Sequence, residues 1–382
     1  MGNSENHFDQ EKSITTRAKH ELLSKYVKVW TGIIVQYLNT RGESGRLIYI
    51  DTCAGTGLFK SDSLEFLDTA GSPLIALNNF ETAESYKSLD TTNIRFQAFL
   101  TEKNPKLYAR LVDSLQSTGM YKDNIKVYPG DYRDKVNEIK ELLTKSWGLV
   151  FFDPFSIEPI PYSIVTDIIK SGKTDALLFY PWKDVQRCYG RATSKEYEEK
   201  DKYIKYLDDF FYDINWRNIG SNSIESEKYK LMYDEYLKKI KNDTQKYCVV
   251  TRFMYEDHNQ DVYRILILTK SEMAALKSKR YMLEIHALQS YLKTKRLGQS
   301  TLLEMNSTEY EMKPDEIVVQ MKRKFKGKTV EGRTIYRWAI EEAGEGVNDK
   351  NFLRSLTITK KDKDIDNPGG RYMKYDSLVK FR

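Results

Sequence analysis

The sequence is poor in cysteine and histidine, with three of the former and four of the latter among 382 residues. Cys53, Cys188 and Cys248 lie far apart and form no Cys-x-x-Cys pair, so the spacing of a structural zinc site is missing and no metal is expected. They read as free thiols in a reducing compartment. No apolar run approaches the roughly 20 residues that cross a bilayer. The opening MGNSENHFDQEKSITT is polar and without the apolar centre of a secretory leader. Its Met1-Gly2-Asn3-Ser4 start resembles a myristoylation site, but Asn6 stands where that motif has Ser or Thr. These absences exclude a membrane-spanning or disulfide-stapled class and point to a cytoplasmic protein.

What is present is charge, unevenly spread. Residues 271–382 hold 23 Lys and Arg against 16 Asp and Glu, whereas the first 270 hold 38 against 39. The positive excess of the last third suits a polyanionic partner, most simply DNA or RNA. A lysine-rich solvated surface explains it equally well.

Residues 17–39 carry Leu22, Tyr26, Trp30, Ile33 and Tyr37 at spacings of three and four, which predicts an amphipathic helix. Apolar, strand-like runs follow at 47–51, 94–101, 125–129, 148–152, 175–180, 246–253 and 261–269. Helix-periodic sequence follows each of the first five, which predicts βαβ units and a parallel sheet. Only Glu256–Gln260 separates the last two, so they should pair as an antiparallel hairpin. Five alternating strands closed by a hairpin are the seven-stranded sheet of the Rossmann-like class I methyltransferase fold. Gly71-Ser72-Pro73 predicts a helix start, with Ser72 as cap and Pro73 first in the helix.

The pattern divides the chain into a helical segment over 1–45, an α/β domain over 46–285 and a basic module over 286–382. A Tyr-, Lys- and acid-rich helical insertion occupies about 183–245 of the α/β domain, as a substrate-shaping element or a passive scaffold. In the last part, short helical patterns, the series Leu353, Leu356 and Ile358, and the turn Asn367-Pro368-Gly369-Gly370 predict a small α+β module of winged-helix type.

Asp51-Thr52-Cys53-Ala54-Gly55-Thr56-Gly57 follows the first strand directly. Ligands of open α/β sheets bind beyond the carboxyl ends of strands, and glycines there let backbone approach a ligand. Lys60 occupies the small-residue position of a dinucleotide fingerprint, and the loop lacks the Gly-Lys-Ser/Thr ending of a P-loop. S-adenosylmethionine remains as the expected cofactor, with a purely structural tight turn as the alternative. Asp51 would accept from its amino group, with Cys53, Gly55 and Gly57 in the loop beside it. Glu102, ending the second strand, would take the ribose hydroxyls, and Asp131, after the third, the adenine amino group. A strand-end acid that merely caps the next helix is the alternative for each.

Trp147 to Phe152 leads into Asp153-Pro154-Phe155, which resembles the Asp-Pro-Pro-Tyr/Phe motif of enzymes that methylate base amino groups. There the acid and a proline-fixed carbonyl accept from the amine and the ring stacks on the flipped base. Here the loop is one proline shorter, and a structural Asp-Pro turn is the alternative. Trp182, after the fifth strand, offers either a stacking surface or core packing, and a nucleophilic role for Cys53 lacks an activating context.

Together, Thr16-Arg17-Ala18-Lys19-His20-Glu21-Leu22-Leu23 with Lys25, Tyr26 and Trp30, Ile50-Asp51 with Ala54-Gly55-Thr56-Gly57, Gly71-Ser72-Pro73-Leu74 with Ala76-Leu77, Phe152-Asp153-Pro154-Phe155 and Tyr263-Arg264-Ile265-Leu266 resemble the three-Cys-motif partner (TcmP) family of bacteria and their mobile elements. The resemblance covers about residues 15–285. It implies a methyltransferase-like fold, a separately encoded protein partner with a three-cysteine motif, and a defence or mobile-element setting. Cys53 and Ser156 depart from the aromatic and glycine expected of the family there. The resulting expectation is a nucleic-acid methyltransferase. A methyltransferase-fold assembly subunit that docks nucleic acid without catalysis is the alternative, and oligomeric state is left open.

Overall fold

A computed structural model describes residues 8–86, 94–224, 227–254, 261–296, 311–368 and 373–382. The turn expected at Glu256–Gln260, the Met1–Asn6 start and the glycines of the turn at 369–370 lie outside the described residues. The chain forms two compact units, Met1–Lys246 with Thr251–Leu268, and Tyr247–Val250 with Thr269–Arg382.

The first unit opens on helix α1 (Ile14–Arg41). The Ser13 hydroxyl caps it by accepting the Thr16 N–H at 3.1 Å, and Gly42 ends it in the left-handed region at φ 63°. Its buried face runs through Leu22, Leu23, Tyr26, Val27, Trp30, Ile34 and Leu38. Ile33 and Tyr37 were expected on that face, but the 3.6-residue period carries burial one position onward, to Ile34 and Leu38. Tyr37 is left 36% exposed, edge-on to Trp147.

Strand β1 (Gly45–Asp51) leads to helices α2 (Phe66–Thr69) and α3 (Ser72–Tyr86). The Gly71 carbonyl accepts the Ile75 N–H at 3.1 Å, so Gly71 takes the cap position and Ser72 and Pro73 are already helical. The expected Ser72 cap is thereby corrected: its hydroxyl serves Asp51 instead.

Strand β2 (Ile94–Glu102), helix α4 (Pro105–Ser117), strand β3 (Ile125–Pro129), helix α5 (Val136–Thr144), strand β4 (Trp147–Phe152), helix α6 (Tyr162–Lys170) and strand β5 (Lys173–Tyr180) continue the alternation. Helices α7 (Trp182–Thr193), α8 (Lys200–Phe211), α9 (Trp216–Asn222) and α10 (Lys228–Thr244) make the insertion helical, as its composition suggests. Strands β6 (Tyr247–Met254) and β7 (Asp261–Thr269) close the sheet.

The sheet has seven strands in the order β3-β2-β1-β4-β5-β7-β6. Strands β1 to β5 pair in parallel and β7 runs antiparallel to β5. This is the class I methyltransferase arrangement, and it follows from near-continuous apolar strands covered by helices. Its order reverses at β1, whose partners are β2 and β4, so the carboxyl ends of these three strands open a crevice.

The second unit comprises helices α11 (Glu272–Arg296) and α12 (Pro314–Phe325), strand β8 (Thr329–Glu331), helices α13 (Gly332–Glu341) and α14 (Asp349–Thr359), and strands β9 (Ile365–Asp366) and β10 (Leu378–Phe381). The three strands form an antiparallel sheet in the order β8-β10-β9, with α13 and α14 between β8 and β9 in the chain. Met321, Phe325, Ile335, Trp338, Phe352, Leu356 and Val379 form its core. Lys279 donates to the Ala339 and Gly344 carbonyls at 2.8 and 2.7 Å, fastening α11 to this unit. Among the described residues, no helix is long and apolar enough to cross a membrane.

Candidate functional site

The glycine loop owes its shape to both neighbouring strands. The Thr52 N–H reaches the Phe151 carbonyl at 3.1 Å, the Ala54 N–H reaches the Thr101 carbonyl at 2.9 Å, and the Thr101 hydroxyl returns to Thr52 at 2.9 Å. Gly55 (φ 64°) and Gly57 (φ 75°) take left-handed backbone that other residues adopt at a cost of about 1–2 kcal/mol. The Gly57 carbonyl accepts the Gly71 N–H at 2.7 Å, locking the loop to the start of α3.

This loop lines one end of a cavity of about 580 Å³. Of the residues singled out from the sequence, Cys53, Gly55, Glu102, Asp131, Asp153, Pro154 and Phe155 all line it. Asp51 and Gly57 do not. Asp51 is fully buried, accepting from the Tyr49 hydroxyl at 2.9 Å, the Cys53 N–H at 3.2 Å and the Ser72 hydroxyl. Burial pushes its carboxyl up to about 7 against the pull of these bonds. Since Cys53 and Ser72 themselves line the cavity, Asp51 shapes the wall from behind.

Glu102 accepts the Gly55 N–H on one oxygen and the Asn104 N–H on the other, each at 2.8 Å. Burial raises its pKa and these backbone bonds oppose the rise. Asp131 accepts the Arg133 backbone N–H at 3.0 Å, its Nε–H at 2.9 Å and its Nη2–H at 2.6 Å. Burial pushes Asp131 up, but the Arg133 guanidinium outweighs it and holds the carboxyl below its ordinary value. Burial, followed by Asp51, Asp153 and Glu102, drives the Cys53 thiol well above its ordinary pKa, the opposite of what a nucleophilic thiolate needs.

At the other end, the Asp153 carboxylate meets the Lys19 ammonium of α1 at 2.6 Å. Lys19 also stands 5.4 Å from the ring centroid of Phe179, and Phe179 packs on Tyr263 at 4.0 Å. The loop after Asp153 is pinned by the Ile157 N–H on Asp184 at 2.7 Å and by the Tyr132 hydroxyl on the Pro159 carbonyl at 2.6 Å. Phe155 is 66% exposed at the rim. Trp182 does not line the cavity, because the Arg264 guanidinium lies 4.2 Å from its ring and 4.1 Å from that of Tyr233. Phe179, Lys183 and Tyr263 take the wall in its place.

Two contributors were not singled out from the sequence. Phe8 packs with Phe59 and Leu107 and lies against Gly55, where a Cβ would come within 2.6 Å of its ring. No local pattern marks it. Lys19 did carry a signal: a charge between Ala18 and His20 on a stretch of α1 that is otherwise largely buried. Among the described residues, no group of three or more His, Cys, Asp or Glu could hold a metal.

No protein-family model matches the chain, and no curated protein does. Among solved structures it is similar to a Legionella pneumophila protein of the DUF519 family model, at 16% identity and a TM-score of 0.40, covering 74% of this chain and 92% of that one. It is also similar to an O-methyltransferase from Bacillus cereus in complex with SAH, at 10% identity and a TM-score of 0.33 (65% and 80% covered). A putative O-methyltransferase from Klebsiella pneumoniae follows, at 9% identity and 0.32 (67% and 90% covered). The fold assignment rests on the sheet order of this chain, not on these distant likenesses.

Proposed function

We propose that this chain is an S-adenosylmethionine-dependent methyltransferase acting on nucleic acid. The observation that carries the reading is one cavity, at the point where the strand order reverses, lined by Gly55, two strand-end acids and the Asp153-Pro154-Phe155 loop. Its volume of about 580 Å³ falls among those of ligand sites. The donor set also suits the cofactor. A carboxylate has about four acceptor positions, so the two backbone bonds on Glu102 leave capacity for ribose hydroxyls. Arg133 takes three of these positions on Asp131 and leaves one toward an adenine amino group. Cys53 and Gly55 line the methionine end, with Asp51 and Gly57 holding their loop. Bound there, the cofactor supplies an electrophilic methyl group on a sulfonium.

Support for nucleic acid comes from the second unit. Lys350, Arg354 and Lys361 recur at helical spacing and are exposed on and just beyond α14, the last helix before the β9–β10 pair, which we read as the wing of a winged helix. The segments shared with the three-Cys-motif partner family support a bacterial defence or mobile-element setting and a separately encoded protein partner. Incubation with methyl-labelled S-adenosylmethionine and total RNA or genomic DNA tests the reading. Label should enter nucleic acid with the wild type, and Asp153→Ala should lower incorporation at least about 100-fold while cofactor affinity persists.

One observation favours the alternative of a non-catalytic assembly subunit: Glu102, Asp131 and Asp153 all have partners within the fold, and Phe8 covers Gly55. Nucleic-acid binding without any methyl transfer, in a protein that does not bind the cofactor, is what that alternative expects.

A further inference from the structure

The target end of the cavity differs from an amine-binding site, and the difference lies in Lys19. Its ammonium and the Asp153 carboxylate are 2.6 Å apart, with side chains only 13% and 12% exposed. Lys19 comes from α1, Asp153 from the end of β4 and Phe179 from β5, so three elements converge on one stretch of wall.

The exocyclic amine of adenine or cytosine offers two N–H donors, while its lone pair is delocalised into the ring. A site for it needs acceptors. Lys19 has three donors and no acceptor, and it already occupies one oxygen of Asp153. A hydroxyl is donor and acceptor in a single atom. It can give its hydrogen to the second Asp153 oxygen while its own oxygen accepts an N–H from Lys19. The Lys19–Asp153 couple therefore matches a hydroxyl at both of its positions and an amine at only one. A second lysine, Lys183, lines the same cavity and suits the phosphates that flank a sugar.

Resting on the methyltransferase reading above, we infer that Lys19 and Asp153 select a hydroxyl oxygen as methyl acceptor, which within a nucleic acid is the ribose 2′-hydroxyl of RNA. As the oxygen–carbon bond forms, the O–H bond breaks and its proton passes to the Asp153 carboxylate. The methyl–sulfur bond of the sulfonium breaks at the same time, and its electron pair stays on sulfur. Lys19 keeps its proton throughout and stabilises the negative charge growing on the oxygen. Asp153 then returns its proton to solvent, so the products are a methyl ether, a neutral thioether and one proton.

The test uses the full chain and begins with calorimetric titration of S-adenosylmethionine into wild type and Lys19→Met. Methyl transfer to RNA and to DNA follows, with digestion to nucleosides and mass spectrometry of the product. The expected product is a 2′-O-methylnucleoside from RNA, with DNA inert. Lys19→Met should lose about 100-fold in transfer while its cofactor affinity stays within about twofold of wild type. Lys19→Arg, which keeps the charge, should recover part of the loss. Methyl on a base nitrogen, or equal labelling of RNA and DNA, overturns the inference and leaves the methyltransferase reading standing. Cofactor affinity that falls in step with activity in Lys19→Met also overturns it, because Lys19 then serves the cofactor. A wild type that binds no cofactor removes the methyltransferase reading itself, and this inference with it.

Discussion

Glu102 and Asp153 are both strand-end acids facing one cavity, on either side of β1, yet they are held in different ways. Glu102 accepts two main-chain N–H groups, from Gly55 and Asn104. Asp153 accepts one side-chain ammonium from a residue 134 positions earlier in the chain. Main-chain donors are placed by the fold of the loop itself and cannot leave without unmaking it. A lysine ends a flexible four-carbon stem and can exchange partners. The Glu102 side of the cavity, proposed for the cofactor, is thus preorganised, and the Asp153 side, proposed for the target, is adjustable.

Substitutions at the two acids should separate the two kinds of support. On stability, the largest effect is expected from Glu102→Gln. Its amide NH₂ must face one of the two backbone N–H groups, leaving a buried donor unmatched at a cost of about 2 kcal/mol, readable by urea denaturation. An isosteric Asp153→Asn keeps an oxygen for Lys19, so about 1 kcal/mol or less is expected in the same assay. Equal losses from the two would show that main-chain and side-chain donors hold these acids alike.

Asp51 provides a pH test of the preorganised half. Its carboxyl lies near 7 in the fold against an ordinary 3.8. Between roughly pH 4 and 7 the folded chain therefore holds a proton that the unfolded chain has released. Stability from this group is present at the acid end, falls as pH rises through that window, and levels off above it. Asp51→Asn, which imitates the protonated acid, should remove this component, so its melting temperature relative to wild type should climb across the window. A constant difference between the two proteins would contradict the buried placement of Asp51.

The smallest effect on the fold is expected from Lys350→Glu with Arg354→Glu, both on exposed positions of α14. Stability should shift by no more than about 0.5 kcal/mol. The slope of nucleic-acid affinity against salt should nonetheless flatten by about two phosphate contacts, measured by fluorescence anisotropy.

The fold was legible where hydrophobic period and length agree. All seven expected strand runs match strands β1 to β7 to within about two residues, the uncertainty of any boundary assignment. The central runs are apolar and flanked by polar sequence, so burial fixes them, whereas the edge run Ile125–Pro129 buries only Ile125 and is held by pairing with β2. What was not legible depends on direction in space. Ile33 and Ile34 are both apolar, and only packing selects which one faces the core. Asp51 sits where a ligand-binding acid would, but its side chain turns to Tyr49 and Ser72 behind the wall. Trp182 is spent on Arg264, a residue 82 positions later whose approach no local pattern announces. The Lys19–Asp153 couple joins a helix ahead of the sheet to the end of its fourth strand, and sequence proximity carries no trace of it.

In the function proposed above, the preorganised side of the cavity holds S-adenosylmethionine. Calorimetric titration of that cofactor into the folded wild type, repeated on Glu102→Gln, tests it most directly. Micromolar binding is expected, near −8 kcal/mol, weakened about tenfold or more by the substitution. A folded wild type that releases no heat with the cofactor, or binding indifferent to Glu102, would contradict it.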